Sequence, residues 1–266
     1  MGQKVNPVAF RVGIMEGWKS RWYAPKKEFS SLLIEDKKIR DFIKNHTDKV
    51  QDRVGQASKE QQEGENAESQ PAKVGRIREQ LSYPGVSKIE IERTRDEVRV
   101  IVHTSQPGRM IGKKGENIDV LQAELQNLTG RRINLKIEEE KNPELVAQLV
   151  AEDICDQLVK RAAFRRVMKN AMHRAMEKGA KGVKIQLSGR LGGAEMARTE
   201  KQAVGSIPLS TLRAKIDYGF KEAKIAQGHI GIQVWINQGE YSEDDNNGQN
   251  AEKSQAPKNP KRAYKR

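Results

Sequence analysis

Pro107-Gly108-Arg109-Met110-Ile111-Gly112-Lys113-Lys114-Gly115-Glu116 sets two glycines around a pair of lysines, and the segments on either side decide the architecture. Upstream, Lys88-Ile89-Glu90-Ile91-Glu92 and Glu97-Val98-Arg99-Val100-Ile101-Val102 alternate apolar and polar residues on either side of Arg93 to Asp96. That is the pattern of a strand hairpin. Downstream, Ile118, Leu121, Leu125 and Leu128 fall on one face of a helix that Gly130 closes. Ile133, Leu135 and Ile137 then alternate as a third strand. Further upstream, Asp36 to Asn45 carries Ile39, Phe42 and Ile43 at helical spacing, with Lys37, Lys38, Arg40 and Lys44 on the other face.

The order helix, strand, strand, helix, glycine loop, helix, strand is that of the prokaryotic-type (type II) KH fold. In such a module the glycines Gly112 and Gly115 let the backbone approach a single strand closely, and the groove clamps about four nucleotides. Lys113 and Lys114 then meet phosphates. A competing reading, in which Gly108 to Lys114 is the phosphate loop of a nucleotidase, fails on spacing. Three residues separate Gly108 from Gly112 instead of four, and Lys114 or Glu116 stands where a magnesium-binding Ser or Thr is required.

Composition points the same way. The chain has 266 residues, of which 36% are hydrophobic and 32% charged, so its cores are small and its surface polar. Lys and Arg number 49 against 36 Asp and Glu, a formal net charge of +13, which favours polyanionic partners. No apolar run approaches the ~20 residues of a spanning helix, so no membrane partner is expected. Met1-Gly2-Gln3-Lys4-Val5-Asn6 lacks an apolar signal core, which predicts a cytoplasmic protein. Cys155 stands alone, and His46, His103, His173 and His229 have no neighbours at metal-ligand spacing. Neither a metal, a cofactor nor a catalytic constellation is expected.

Four further segments complete the organisation. Residues 1–30 mix Phe10, Arg11, Trp18, Lys19, Arg21, Trp22 and Tyr23 without periodicity, which reads as an extended arm. Its aromatics either stack on RNA bases or cover the neighbouring core. The KH module spans 31–140 with a polar insert at 47–75, a stretch poor in large apolar residues that reads as a solvated loop or a frayed helical extension. Asn142-Pro143-Glu144 opens a second α+β domain over 141–240, with two helices and then strands around Val183, Ile185 and Leu187, around Leu212 to Tyr218, and around Ile230 to Ile236. The second of those helices is assigned Arg161, Arg165 and Lys169 at steps of four, flanked by Arg166, and few acidic residues share that face. An RNA contact is therefore favoured there over simple solvation. Ser188-Gly189-Arg190-Leu191-Gly192-Gly193 is a second glycine-rich turn, in which Arg190 either meets RNA or closes a structural turn. The tail, 241–266, turns acidic and then basic and reads as disordered off its partner.

Several of these motifs together resemble one family. Met1-Gly2-Gln3-Lys4-Val5-Asn6-Pro7, Ile111-Gly112-Lys113-Lys114-Gly115-Glu116, Phe164-Arg165-Arg166-Val167-Met168-Lys169, and Ser188 to Glu195 with Ala197-Arg198-Thr199-Glu200 are similar to the bacterial ribosomal protein three family of the small subunit. The resemblance covers nearly the whole chain outside the insert and tail. It implies a structural protein of the small-subunit head that binds ribosomal RNA and head proteins ten and fourteen. It also implies a place where messenger RNA enters, near proteins four and five. There the helix bearing Arg165, Arg166 and Lys169 helps unwind structured message without an ATP site. A free KH-domain regulator of messenger RNA is the alternative. The chain departs from the family pattern in its longer insert and in Lys201-Gln202-Ala203-Val204-Gly205-Ser206, where the family carries an aromatic and arginine-containing segment.

Overall fold

Val86–Arg93 (β2) and Glu97–Thr104 (β3) pair antiparallel, with Ile91 opposite Val100, as their alternation predicts. Arg132–Glu139 (β4) joins parallel to β3, and the inward residues Val98, Val100, Val102 and Ile133 are buried. Against this face lie Lys26–Glu63 (α2), Pro107–Ile111 (α3) and Glu116–Thr129 (α4). Leu121 and Leu125 of α4 enter the core, whereas Leu128 is about half exposed and does not. The computed structural model describes residues 4–63, 85–94, 97–112 and 115–241, without the side chains of 45–63 and Glu116.

α2 is longer than its apolar spacing suggests. Its buried residues Leu32, Asp36, Ile39 and Ile43 recur at steps of four, three and four, and the helix then runs on to Glu63. Residues 47–63 of the expected insert are therefore helical, in line with the helical-extension reading and against a loop, because Gln, Glu, Lys and Ala are good helix formers. The rest of that insert, Lys113 and Lys114, and 242–266 lie outside the described residues.

The N-terminal segment is not an extended arm. Asn6 caps Pro7–Arg11 (α1) by accepting from the Val8 N–H, and Ser20–Arg21 (β1) adds a fourth strand parallel to β2. Arg11 is fully buried and donates to the carbonyls of Pro7, Leu209, Thr211 and Ala214 at 2.7–3.2 Å. A guanidinium fork suits such a cage of carbonyls because its donors diverge at fixed angles. Asp36, on the apolar stripe of α2, accepts from Ser20, from Trp22 Nε1 at 2.8 Å and from Arg93 Nε at 2.8 Å. Trp22 thus belongs to the fold, while Trp18 and Tyr23 remain 66% and 96% exposed.

The second half begins differently from its sequence signature. Asn142 makes no side-chain cap, and Pro143–Leu145 forms only a 3₁₀ turn. The helix proper, Ala147–Val159 (α5), is capped from a distance: Asp217 Oδ2 accepts from the Ala147 N–H at 2.7 Å and Oδ1 from the Tyr218 N–H at 2.9 Å. Burial raises the Asp217 carboxyl above its ordinary range, and those two N–H donors partly oppose the shift. Phe164–Glu177 (α6) follows. Gly182–Gly189 (β5), Arg198–Gly205 (β6), Ala214–Ile225 (β7) and Gly228–Glu240 (β8) then form an antiparallel sheet ordered β6-β5-β8-β7. Ile185, Leu187, Ile232 and Val234 pack on Ile154 and Met168 of the two helices. β6 was not among the expected strands, because an edge strand with a mostly exposed burial pattern carries little apolar alternation.

Candidate nucleic-acid interface

The glycine loop has the backbone its composition requires. Gly112 (φ 72°) ends α3 and Gly115 (φ 87°) precedes α4, both in the left-handed region. A Cβ on Gly112 would stand 2.5 Å from Asn117 Cγ, whereas one on Gly115 would meet nothing within 4 Å. Among the described residues, then, Gly112 is closed in by the protein, whereas the space beside Gly115 is open. Asn117 Nδ2 donates to the Arg109 carbonyl at 3.4 Å and so ties α4 back to α3 across the loop. Lys113 and Lys114, the expected phosphate contacts, fall between these two described glycines.

A second cationic area lies around α6. Arg161 does not sit on that helix. It follows α5 with φ 61°, its N–H bonded to the Leu158 carbonyl and the Ala162 N–H to the Gln157 carbonyl, which is a Schellman-type stop. An arginine in a backbone region that favours glycine is locally strained, and the bonds around it hold it there. Arg165, Arg166 and Lys169 are exposed on the first turns of α6, while Val167, Met168 and Ala171 face the core. Among the described residues, Arg161, Arg166 and Lys169 have no acidic partner within 4.0 Å.

Arg165 does have one. Its Nη2 lies 3.5 Å from Glu200 Oε1, and Arg198 Nε lies 3.7 Å from the same oxygen. Both guanidinium carbons stand over the Phe164 ring, at 5.6 and 5.7 Å from its centroid. Glu200 pairs with Leu187 across the β5–β6 ladder, so it and Arg198 two residues away point to the helix side of the sheet. Sequence reasoning does not name these two residues as site members, although both stand in the Ala197-Arg198-Thr199-Glu200 motif. β6 has too little apolar alternation for the sequence to show which way they face.

Arg190 is largely committed to the protein. Its Nε donates to the Ala194 carbonyl and Nη1 to the Gln227 carbonyl, both at 2.9 Å, pinning the Gly192-Gly193 turn to the β7–β8 turn. Cys155 is buried and its thiol is pushed up to about 11, first by burial and then by Asp156, so it is no nucleophile at neutral pH. Among the described residues no group of three His, Cys, Asp or Glu side chains could hold a metal ion. No described helix is long and apolar enough to cross a membrane.

Residues 76–145 match the KH domain family, and residues 154–236 match the family described as ribosomal protein S3, C-terminal domain. A small ribosomal subunit protein uS3 from Rhodopirellula baltica is 59% identical over 266 residues, covering all of both chains. The chain belongs to the uS3 family. Proteins of the same name from Desulforudis audaxviator and Campylobacter lari are 48% and 44% identical. The first alignment covers 90% of this chain and 94% of its relative, and the second 99% and 98%. A uS3 protein is a ribosomal structural component and not an enzyme, with an RNA-binding KH fold followed by the family's own α+β domain.

Proposed function

We propose that the protein sits in the head of the small ribosomal subunit, binds ribosomal RNA, and lines the path by which messenger RNA enters. The glycine loop, Gly112 to Gly115 with Lys113 and Lys114, holds RNA backbone. Arg161, Arg165, Arg166 and Lys169 face the incoming message and help separate its paired segments. Arg190 supports the neighbouring turn and offers its remaining donors to RNA. Small-subunit proteins ten and fourteen are the adjacent head proteins, with proteins four and five near the message.

The observation that carries this reading is the state of the α6 cations. Arg166 and Lys169 on the first turns of α6, and Arg161 just before it, are exposed, with no acidic partner within 4.0 Å among the described residues. Cations gathered without counter-ions repel one another, and a polyanion relieves that repulsion while releasing its own condensed counterions. Strand separation then needs no nucleotide hydrolysis in this chain, because the cations favour the opened strand while translocation supplies the pull. Cross-linking tests it. A photoreactive nucleotide placed in the message a few positions ahead of the decoding site should attach to the segment containing Arg161 to Lys169 in intact small subunits. Attachment only to other proteins would refute the assignment. Sedimentation of the protein away from small subunits in cell extract would favour a free messenger RNA regulator.

A further inference from the structure

The pairing of Glu200 with two arginines reaches beyond the residues assigned above. Glu200 is the only carboxylate among the described residues within ion-pair distance of Arg165, and the same Oε1 also lies near Arg198. Neither contact is a short bidentate salt bridge. At 3.5 and 3.7 Å, with the arginine side chains 69% and 50% exposed, they are weak, solvent-screened attractions. The carboxylate itself is anchored in the β5–β6 ladder opposite Leu187 and is less exposed than either arginine. Phe164 lies beneath both guanidinium groups and limits where they can swing.

We propose that Glu200 is an internal stand-in for an RNA phosphate, which holds Arg165 and Arg198 together over Phe164 and yields them to the RNA backbone when single-stranded RNA arrives. Arg198 thereby becomes a further member of the RNA site, carried by the β6 edge beside α6. The arrangement costs affinity, because RNA must displace an attached carboxylate. It gains selectivity for a ligand that brings at least two phosphates to one place, since a single phosphate would leave one arginine still drawn to Glu200. Weak, exposed pairing is what such an exchange requires: a buried bidentate bridge would not release, and a lone arginine would need no release. This rests on the reading that α6 faces RNA.

The test uses the full-length protein and a fluorescent 20-residue oligouridylate, with anisotropy titrations across a range of salt. Glu200→Gln keeps the shape of the side chain and removes its charge. It should bind the oligomer about three- to tenfold more tightly at 0.1 M salt, with a log–log salt dependence close to that of the unaltered protein, because both arginines meet phosphates in either complex. Glu177→Gln, which removes an equally negative and more exposed carboxylate paired, among the described residues, with His173 alone, controls for net charge and should change affinity by less than about twofold. The gain should disappear when Glu200→Gln is combined with Arg165→Ala and Arg198→Ala. Unfolding midpoints of each variant show whether the fold is kept. Weaker or unchanged binding by Glu200→Gln overturns the proposal, as does a gain no larger than that of Glu177→Gln or one that survives loss of both arginines. The wider reading fails separately, if Arg165→Ala, Arg166→Ala and Lys169→Ala together leave oligouridylate binding unchanged.

Discussion

Arg11 shows how one side chain can tie distant parts of a chain. Among the described residues its guanidinium has no carboxylate partner within 4.0 Å, and it is held by four carbonyls, three of them from residues 209–214. Arg11→Ala should cost about 3–5 kcal/mol in urea unfolding, because several charge-assisted bonds vanish and buried carbonyls are left unpaired. Arg11→Lys should recover only part of that loss, since an ammonium cannot reach diverging acceptors. A loss under about 1 kcal/mol for the alanine variant would show that the cage is not a fastening. Arg161 makes the opposite case. With φ 61° it occupies a backbone state that glycine adopts freely, so Arg161→Gly should raise stability by about 0.5–1 kcal/mol while weakening RNA binding. Equal or lower stability would remove the argument that this arginine is kept for its charge. Neither role is legible in sequence. In sequence Arg11 is one basic residue among several in an arm, because three of its four acceptors lie 198 to 203 residues away; Arg161 reads as the first step of a helical face, because spacing alone cannot reveal a helix stop.

α2 and β6 mark what patterning can and cannot disclose. The KH strands and helices were legible because burial on one side of each imposes a period on the sequence, as in Ile89 and Ile91 or Leu121 and Leu125. Asp36 interrupts the apolar stripe of α2, and only the three-dimensional arrangement of Ser20, Trp22 and Arg93 explains a carboxylate there. β6 escapes such patterning because its exposed edge position imposes no such period, so two of the three members of the Arg165–Glu200–Arg198 cluster stay hidden in the sequence. The buried residues of α2 end at Ile43 among those whose side chains are described. Replacing residues 47–75 by a short polar linker should therefore leave the KH core folded, and loop-closure entropy changes by only about 0.6 kcal/mol per halving of length. Thermal melts and RNA affinity near those of the full chain are the expected result. A collapse of cooperative unfolding would assign the extension a place in the core.

Across the whole molecule, the N-terminal segment fastens the two units to each other. Arg11 and Glu16 hold the second sheet and its end, Glu16 accepting from the Tyr241 hydroxyl at 2.8 Å, while the Lys19 carbonyl accepts from the Ile91 N–H of the first sheet at 3.0 Å. The glycine loop and the α6 cations are thus presented from one scaffold, which suits a protein that holds ribosomal RNA with one part and meets a moving message with another. The cations of α6 are proposed to act on that message. Small subunits carrying Arg165→Ala, Arg166→Ala and Lys169→Ala together should assemble, since alanine favours helix and the buried face of α6 is untouched. Translation rates should then be measured on two messages that differ only in a stable hairpin ahead of the decoding site. Near-normal speed on the unstructured message and clear slowing on the hairpin are expected; equal rates on both, or equal slowing on both, would rule out an action of these cations on the message.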